Sequence, residues 1–214
     1  MERLLTLLLG IAGALPGAVV IDRIAVVVNK HAIKSSDIQR DLRLTEFING
    51  EPVNLGAAEM RKSAERLIDQ TLIRDEIARG GYQRPSDADA ESLTAHLVRD
   101  RFGASDARLR EALARYGLRE DELRAQFLLQ LTVLRFIDQR FRPGVQVTDE
   151  DVRTYYEQHL AELKRKYPAS NSLDALRTQI RASLEGERIN EAFAAWIGDA
   201  RKQAHIEYRE GAFE

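Results

Sequence analysis

Cysteine is absent from all 214 residues. That excludes thiol nucleophiles, thiolate-bound zinc, iron–sulfur clusters and a cysteine-linked lipid anchor. It leaves the redox compartment open, because a chain of about 200 residues buries enough apolar surface to fold without disulfides. Proline and glycine are sparse, at 5 and 13 residues, which excludes collagen-like and broadly disordered chains. Neither sign of charge dominates: 32 basic residues face 34 acidic ones, a net charge of −2. The chain therefore has no general electrostatic pull toward nucleic acid or anionic lipid. The phosphate-binding G-x-x-x-x-G-K motif, the dinucleotide glycine fingerprint and the G-x-S-x-G elbow are also missing, which argues against ATP-driven action.

What is present is charge, 31% of residues, dispersed among leucine, alanine and arginine in a way that predicts a mostly helical protein. The N-terminus stands apart. Leu4 to Ile21 carries no charge, begins with an apolar run and contains Ala12-Gly13-Ala14, small residues at a spacing that signal peptidase accepts. Residues 1–14 read as a secretory signal, so the expected location is the periplasm. An uncleaved membrane anchor is the alternative, since about 18 apolar residues is the lower limit for a span. Gly10, Gly13, Pro16 and Gly17 weigh against it.

Residues 15–214 read as one domain. Val19 to Val28 is dense in β-branched residues and predicts a strand. Asn29-Lys30-His31 is placed to turn it, and Ala32-Ile33-Lys34 to return. Ser35-Ser36-Asp37 offers N-cap oxygens for a first helix whose buried stripe is Ile38, Leu42 and Ile48. Ala57 to Ala78 is the clearest amphipathic helix, ended by Gly80-Gly81. Ser86, Ser105, Thr148 and Ser172 are expected to cap later helices, with a long helix over Arg119–Arg142 and another to about Gln203. The helix capped by Thr148 is expected to run through Tyr155, Tyr156 and Leu163, and residues 160–171 to be a short linker. His205-Ile206-Glu207-Tyr208 predicts a closing strand. The expected fold is thus mainly α with a small β-sheet, an N-terminal hairpin paired to a short C-terminal strand.

No catalytic constellation emerges. His31, His96, His159 and His205 do not share a helix face at metal-ligand spacing, so no metal and no cofactor is expected. The carboxylates of Asp87-Ala88-Asp89, Glu120-Asp121-Glu122 and Asp149-Glu150-Asp151 sit where helices begin and read as caps. A helix–turn–helix reading of Ala57 to Leu97 is opposed by the charge balance and the export signal.

Asp22-x-Ile24-Ala25-x-x-Val28-Asn29, followed by Ile33 and Ser36-Asp37-Ile38, resembles the opening hairpin and first helix of SurA-type periplasmic chaperones. Val147 to Val152 with Tyr155-Tyr156 is similar to the helix that in this family leads toward a parvulin-type prolyl isomerase domain. Leu173-x-x-Leu176-Arg177-x-x-Ile180, Glu187-Arg188-Ile189-Asn190, Trp196 and the closing strand resemble its returning end. Residues 160–171 are far too few for an isomerase domain, and no Gly-Gly-x-Leu-Gly pattern occurs, so no enzymatic activity is expected. The resemblance implies a chaperone core that holds unfolded outer-membrane or secreted polypeptides without ATP and without nucleic acid. The alternatives are a non-catalytic adaptor in a cell-envelope complex and a peptidyl-prolyl isomerase. Apolar residues off the main stripes are the candidate client contacts: Leu44, Phe47, Phe102, Tyr116 and Phe141.

Overall fold

The computed structural model describes residues 22–169 and 172–213. The expected signal over residues 1–14, the start of the first predicted strand and Ser170-Asn171 of the expected linker lie outside the described residues.

β1 (Ile24–Val28) turns through Asn29-Lys30 into β2 (His31–Lys34), and the two pair antiparallel with Val28 opposite His31. Asn29 sits at φ 53°, in the left-handed region that asparagine tolerates better than most residues. Its Oδ1 also accepts from the His205 N–H at 3.0 Å, tying the turn to the chain's far end. There β3 (Ile206–Tyr208) pairs antiparallel with β1, so the strand order is β2-β1-β3. The expected hairpin plus closing strand is what the structure shows.

Among the described residues, eight α-helices lie between β2 and β3: α1 (Ser35–Asn49), α2 (Ala57–Gly80), α3 (Asp87–Phe102), α4 (Asp106–Arg115), α5 (Glu120–Phe141), α6 (Asp149–Gln158), α7 (Leu160–Lys166) and α8 (Leu173–Gln203). Their starts follow ordinary capping chemistry. The hydroxyls of Ser86, Ser105, Thr148 and Ser172 each accept a first-turn backbone N–H. The start of α1 follows expectation in part. Ser35 is already helical. Of the expected oxygens, Asp37 Oδ2 accepts the Lys34 N–H at 3.1 Å, and the carboxylate of Asp22 adds a cap from outside, taking the Ser36 N–H at 3.2 Å and its hydroxyl at 2.5 Å. The helix expected to run through Leu163 breaks at His159, whose ring stacks on Tyr155 with centroids 4.1 Å apart. Most of the segment expected as linker is therefore α7, with Leu163 buried.

α1 is packed on two sides. Ile38 and Leu42 join Ala25, Val26, Val28 and Ile33 of the sheet and Met60, Ala64, Ile68 and Leu72 of α2. Leu44 and Phe47, on another flank, join Val98, Leu109, Leu113, Leu123 and Phe127 from α3, α4 and α5. The end of α2 and α5 meet α8 through Ile73, Ile77 and Phe136, with Trp196 tilted against Phe136 at 5.2 Å. α6, α7 and the first half of α8 enclose a smaller core around Val152, Leu163, Leu176 and Ile180.

Charged side chains lock the ends. Arg201 of α8 donates to Asp69 Oδ1 at 2.5 Å and to Glu65 Oε2 at 2.7 Å, while the Tyr208 hydroxyl donates to Glu65 Oε1 at 2.6 Å. Burial, then the hydrogen bond to Glu65, push the Tyr208 hydroxyl up to about 12. Burial alone would raise the Glu65 carboxyl, but the hydrogen bonds from Tyr208 and Arg201 outweigh it and hold the group below its ordinary range. At α6, hydrogen bonds from Arg188 first and then from Thr148 hold Asp151 well below the usual carboxylate range.

Candidate functional site

β2, α1, α2 and α5 surround an open cleft of about 600 Å³. β2 contributes His31, Ala32 and Ile33 along one rim. α1 contributes Asp37, Arg40, Asp41 and Leu44, and α2 contributes Leu67, Gln70, Thr71, Arg74 and Asp75. The far wall is α5 and the residue before it, with Arg119, Glu122, Ala125, Gln126 and Leu129. Residues 122, 125, 126 and 129 fall on one helical face because they recur at spacings of three and four.

Ion pairs run between the elements that line the cleft. Arg40 of α1 reaches Glu122 of α5 at 2.9 Å, and Arg119 adds a 3.7 Å contact to the same carboxylate. His31 Nε2 lies 3.0 Å from Asp75 Oδ1, fixing β2 against α2. Asp41 is buried at 5% exposure, yet its Oδ2 accepts from the Ser63 hydroxyl at 2.8 Å and from Arg66 at 2.7 and 3.1 Å. A buried carboxylate is stable in the fold only when paired in this way.

Three polar lining groups have no partner among the described residues: the amides of Gln70 and Gln126 and the guanidinium of Arg74. They stand beside apolar Ile33, Leu67, Ala125 and Leu129. An extended polypeptide presents the same mixture, backbone donors and acceptors alternating with apolar side chains, so the lining is chemically matched to one. No group of three or more His, Asp or Glu residues that could hold a metal ion occurs among the described residues. A second, smaller cavity of about 270 Å³ lies between α2 and α8 beside Trp196.

The five residues singled out in the sequence fall elsewhere, with one exception. Leu44 is buried but lines the cleft. Phe47 is 1% exposed, contrary to the expectation of an exposed apolar contact, and offers no surface to a client in this arrangement. The cause is the second packed flank of α1. Phe102 and Tyr116 are half-buried against Phe47, stacked at 6.2 Å and edge-on at 5.3 Å, and the Tyr116 hydroxyl donates to the Glu51 carbonyl at 2.8 Å. Phe141 is half-buried in the separate α2–α5–α8 cluster. The structure thus brings four of the five together around one core and leaves Phe141 apart. Sequence reasoning missed Gln70, Arg74 and Gln126, which look like ordinary solvated positions. The one available signal was the mixed Glu, Ala, Gln and Leu face of α5.

These features define a helical domain closed by a three-stranded sheet, with an open cleft between β2, α1, α2 and α5. No family model matches the chain. It is similar to Chaperone SurA of Chromobacterium violaceum, with 32% identity over 136 residues, 62% of this chain and 31% of that relative. The similarity supports a SurA-like relationship, while the chain covers only about a third of the relative's length. No described helix is long and apolar enough to cross a membrane.

Proposed function

We propose that the protein is an ATP-independent chaperone that holds unfolded, exported polypeptides, including outer-membrane proteins, in the cleft between β2, α1, α2 and α5. The similarity to Chaperone SurA carries this reading. The unfilled cleft, with unpartnered amides beside apolar side chains, supports it. In this reading the chain binds without catalysing isomerisation and works in the periplasm after export directed by residues 1–14. Weak, releasable holding is chemically undemanding: micromolar affinity corresponds to about 8 kcal/mol.

The test is light scattering of a chemically unfolded outer-membrane protein diluted into buffer without ATP. The protein at near-equimolar ratio should suppress the signal, and Leu129→Arg, which places a charge on the cleft wall, should abolish suppression while leaving the circular dichroism unchanged. No suppression by folded wild-type protein would overturn the reading. Recovery of one stoichiometric envelope protein in its place would favour an adaptor.

A further inference from the structure

Among the described residues β2 is an edge strand, and its outer edge is the rim of the cleft. The hydrogen-bonding direction along that edge follows from the register. A two-residue turn makes its flanking residues, Val28 and His31, a hydrogen-bonded pair, so the next pair, Val27 and Ala32, is non-hydrogen-bonded. The other side of β1 agrees. Asn29 N–H donates to the His205 carbonyl at 2.8 Å and Arg209 N–H to the Ala25 carbonyl at 2.9 Å, so residues 25, 27 and 29 face β3. The N–H and C=O of Ala32 therefore both point away from β1, toward the cleft, and neither has a partner among the described residues. At the next outward-facing position the edge closes, because the Lys34 N–H is taken by Asp37 Oδ2 at 3.1 Å.

Resting on the proposed client-binding reading, we infer that an extended client segment joins the sheet as a fourth strand, paired through the Ala32 N–H and C=O, and that a carboxylate on it meets the free guanidinium of Arg74. Ala32 is exposed and carries only a methyl group, so an approaching backbone meets no bulky side chain. The His31–Asp75 contact sets α2 beside β2, which places Arg74, the neighbour of Asp75, on the same cleft. Arg74 is the cleft's one cationic side chain without an acidic partner among the described residues, and charge complementarity therefore selects an acidic group on the incoming segment. Across the cleft, Gln126 of α5 also lines the space, and its amide can both donate and accept a hydrogen bond. Strand addition at a sheet edge draws affinity from main-chain bonds and is therefore tolerant of client sequence. A single open position makes that grip short and releasable.

The experiment uses the whole protein and two short synthetic peptides that alternate valine and threonine, one with a central glutamate and the other with glutamine. Amide hydrogen exchange followed by NMR should show the Ala32 N–H exchanging freely in the unliganded protein and protected once the glutamate peptide is added. Ala32→Pro, tolerated on an edge strand because no ladder bond is lost, should weaken peptide binding by about tenfold. Arg74→Gln should erase the preference for the glutamate peptide over the glutamine one. Peptide binding with the Ala32 amide still unprotected would overturn strand addition while leaving the cleft as the client site, and binding that ignores the glutamate would overturn the role of Arg74. No peptide binding by folded wild-type protein that still suppresses aggregation would also overturn strand addition, whereas loss of both activities would overturn the chaperone reading with it.

Discussion

Phe47 separates a structural role from a binding role, and its burial at 1% exposure supports the former. Its ring is enclosed by Phe102, Tyr116 and the surrounding leucines, with the Arg101 guanidinium 5.7 Å from the ring centroid. Arg101 also donates to the Phe47 and Ile48 carbonyls at 3.0 and 2.7 Å, so the ring and the end of α1 are fixed together. Phe47→Ala removes a fully buried aromatic, a change that costs about 3–5 kcal/mol in cores. The edge-on contact with Tyr116 adds to the upper part of that range, since such pairs contribute about 0.5–1.5 kcal/mol beyond burial. At about 2–4 °C per kcal/mol for a chain of this size, the melting temperature should fall by roughly 6–20 °C. Urea unfolding followed by circular dichroism should show a lower midpoint with an unchanged slope. Below the variant's transition, suppression of client aggregation should persist. A variant as stable as wild type that no longer suppresses aggregation would refute the reasoning and make Phe47 a client contact.

Further outcomes follow from other contacts. Asp41→Ala removes the acceptor for Ser63 and Arg66 and should cost about 1.5–3 kcal/mol in urea unfolding, the range for hydrogen bonds to charged groups; an unchanged midpoint would contradict the role given to the buried carboxylate. Asn29→Ala should cost about 1–2 kcal/mol because alanine is strained at φ 53°, and Asn29→Gly should recover part of that loss. Tyr208 has its pKa raised in the fold, so its contribution is complete below the unfolded value near 10 and fades as pH rises toward about 12. Thermal melts should accordingly show the gap between wild type and Tyr208→Phe narrowing over that window. Asp151 is shifted the other way, so its contribution is present above the ordinary carboxylate range and fades as pH falls through and below it. Asp151→Asn should therefore be less stable than wild type at neutral pH and converge with it in acid.

Local chemistry was legible in the sequence wherever a single residue decides the outcome. Ser86, Ser105, Thr148 and Ser172 announce helix starts because a hydroxyl one position before a helix has little else to bond. Asn29 announces its turn through its tolerance of positive φ. The misreadings came from partners distant in sequence. Asp37 caps α1 locally as expected, but the second capping carboxylate is Asp22, on the far side of the hairpin, and the local serines concealed it. Phe47 was misplaced because a one-stripe reading of α1 cannot show a helix buried on two flanks. The helix break at His159 coincides with stacking of its ring on Tyr155, a contact that helical periodicity does not reveal. The cleft was illegible for a related reason. Gln70, Arg74 and Gln126 are ordinary polar positions on their own helices, and only the approach of β2, α1, α2 and α5 turns them inward on one space.

The most direct test of the central claim is photo-crosslinking from the cleft wall. A benzophenone amino acid replaces Gln126 in one variant and Glu111, an exposed residue of α4, in another, and each is irradiated with an unfolded outer-membrane protein. Client adducts are expected from position 126 and none above background from position 111. Equal labelling from the two positions, or adducts from position 111 alone, would contradict the cleft as the site of client binding.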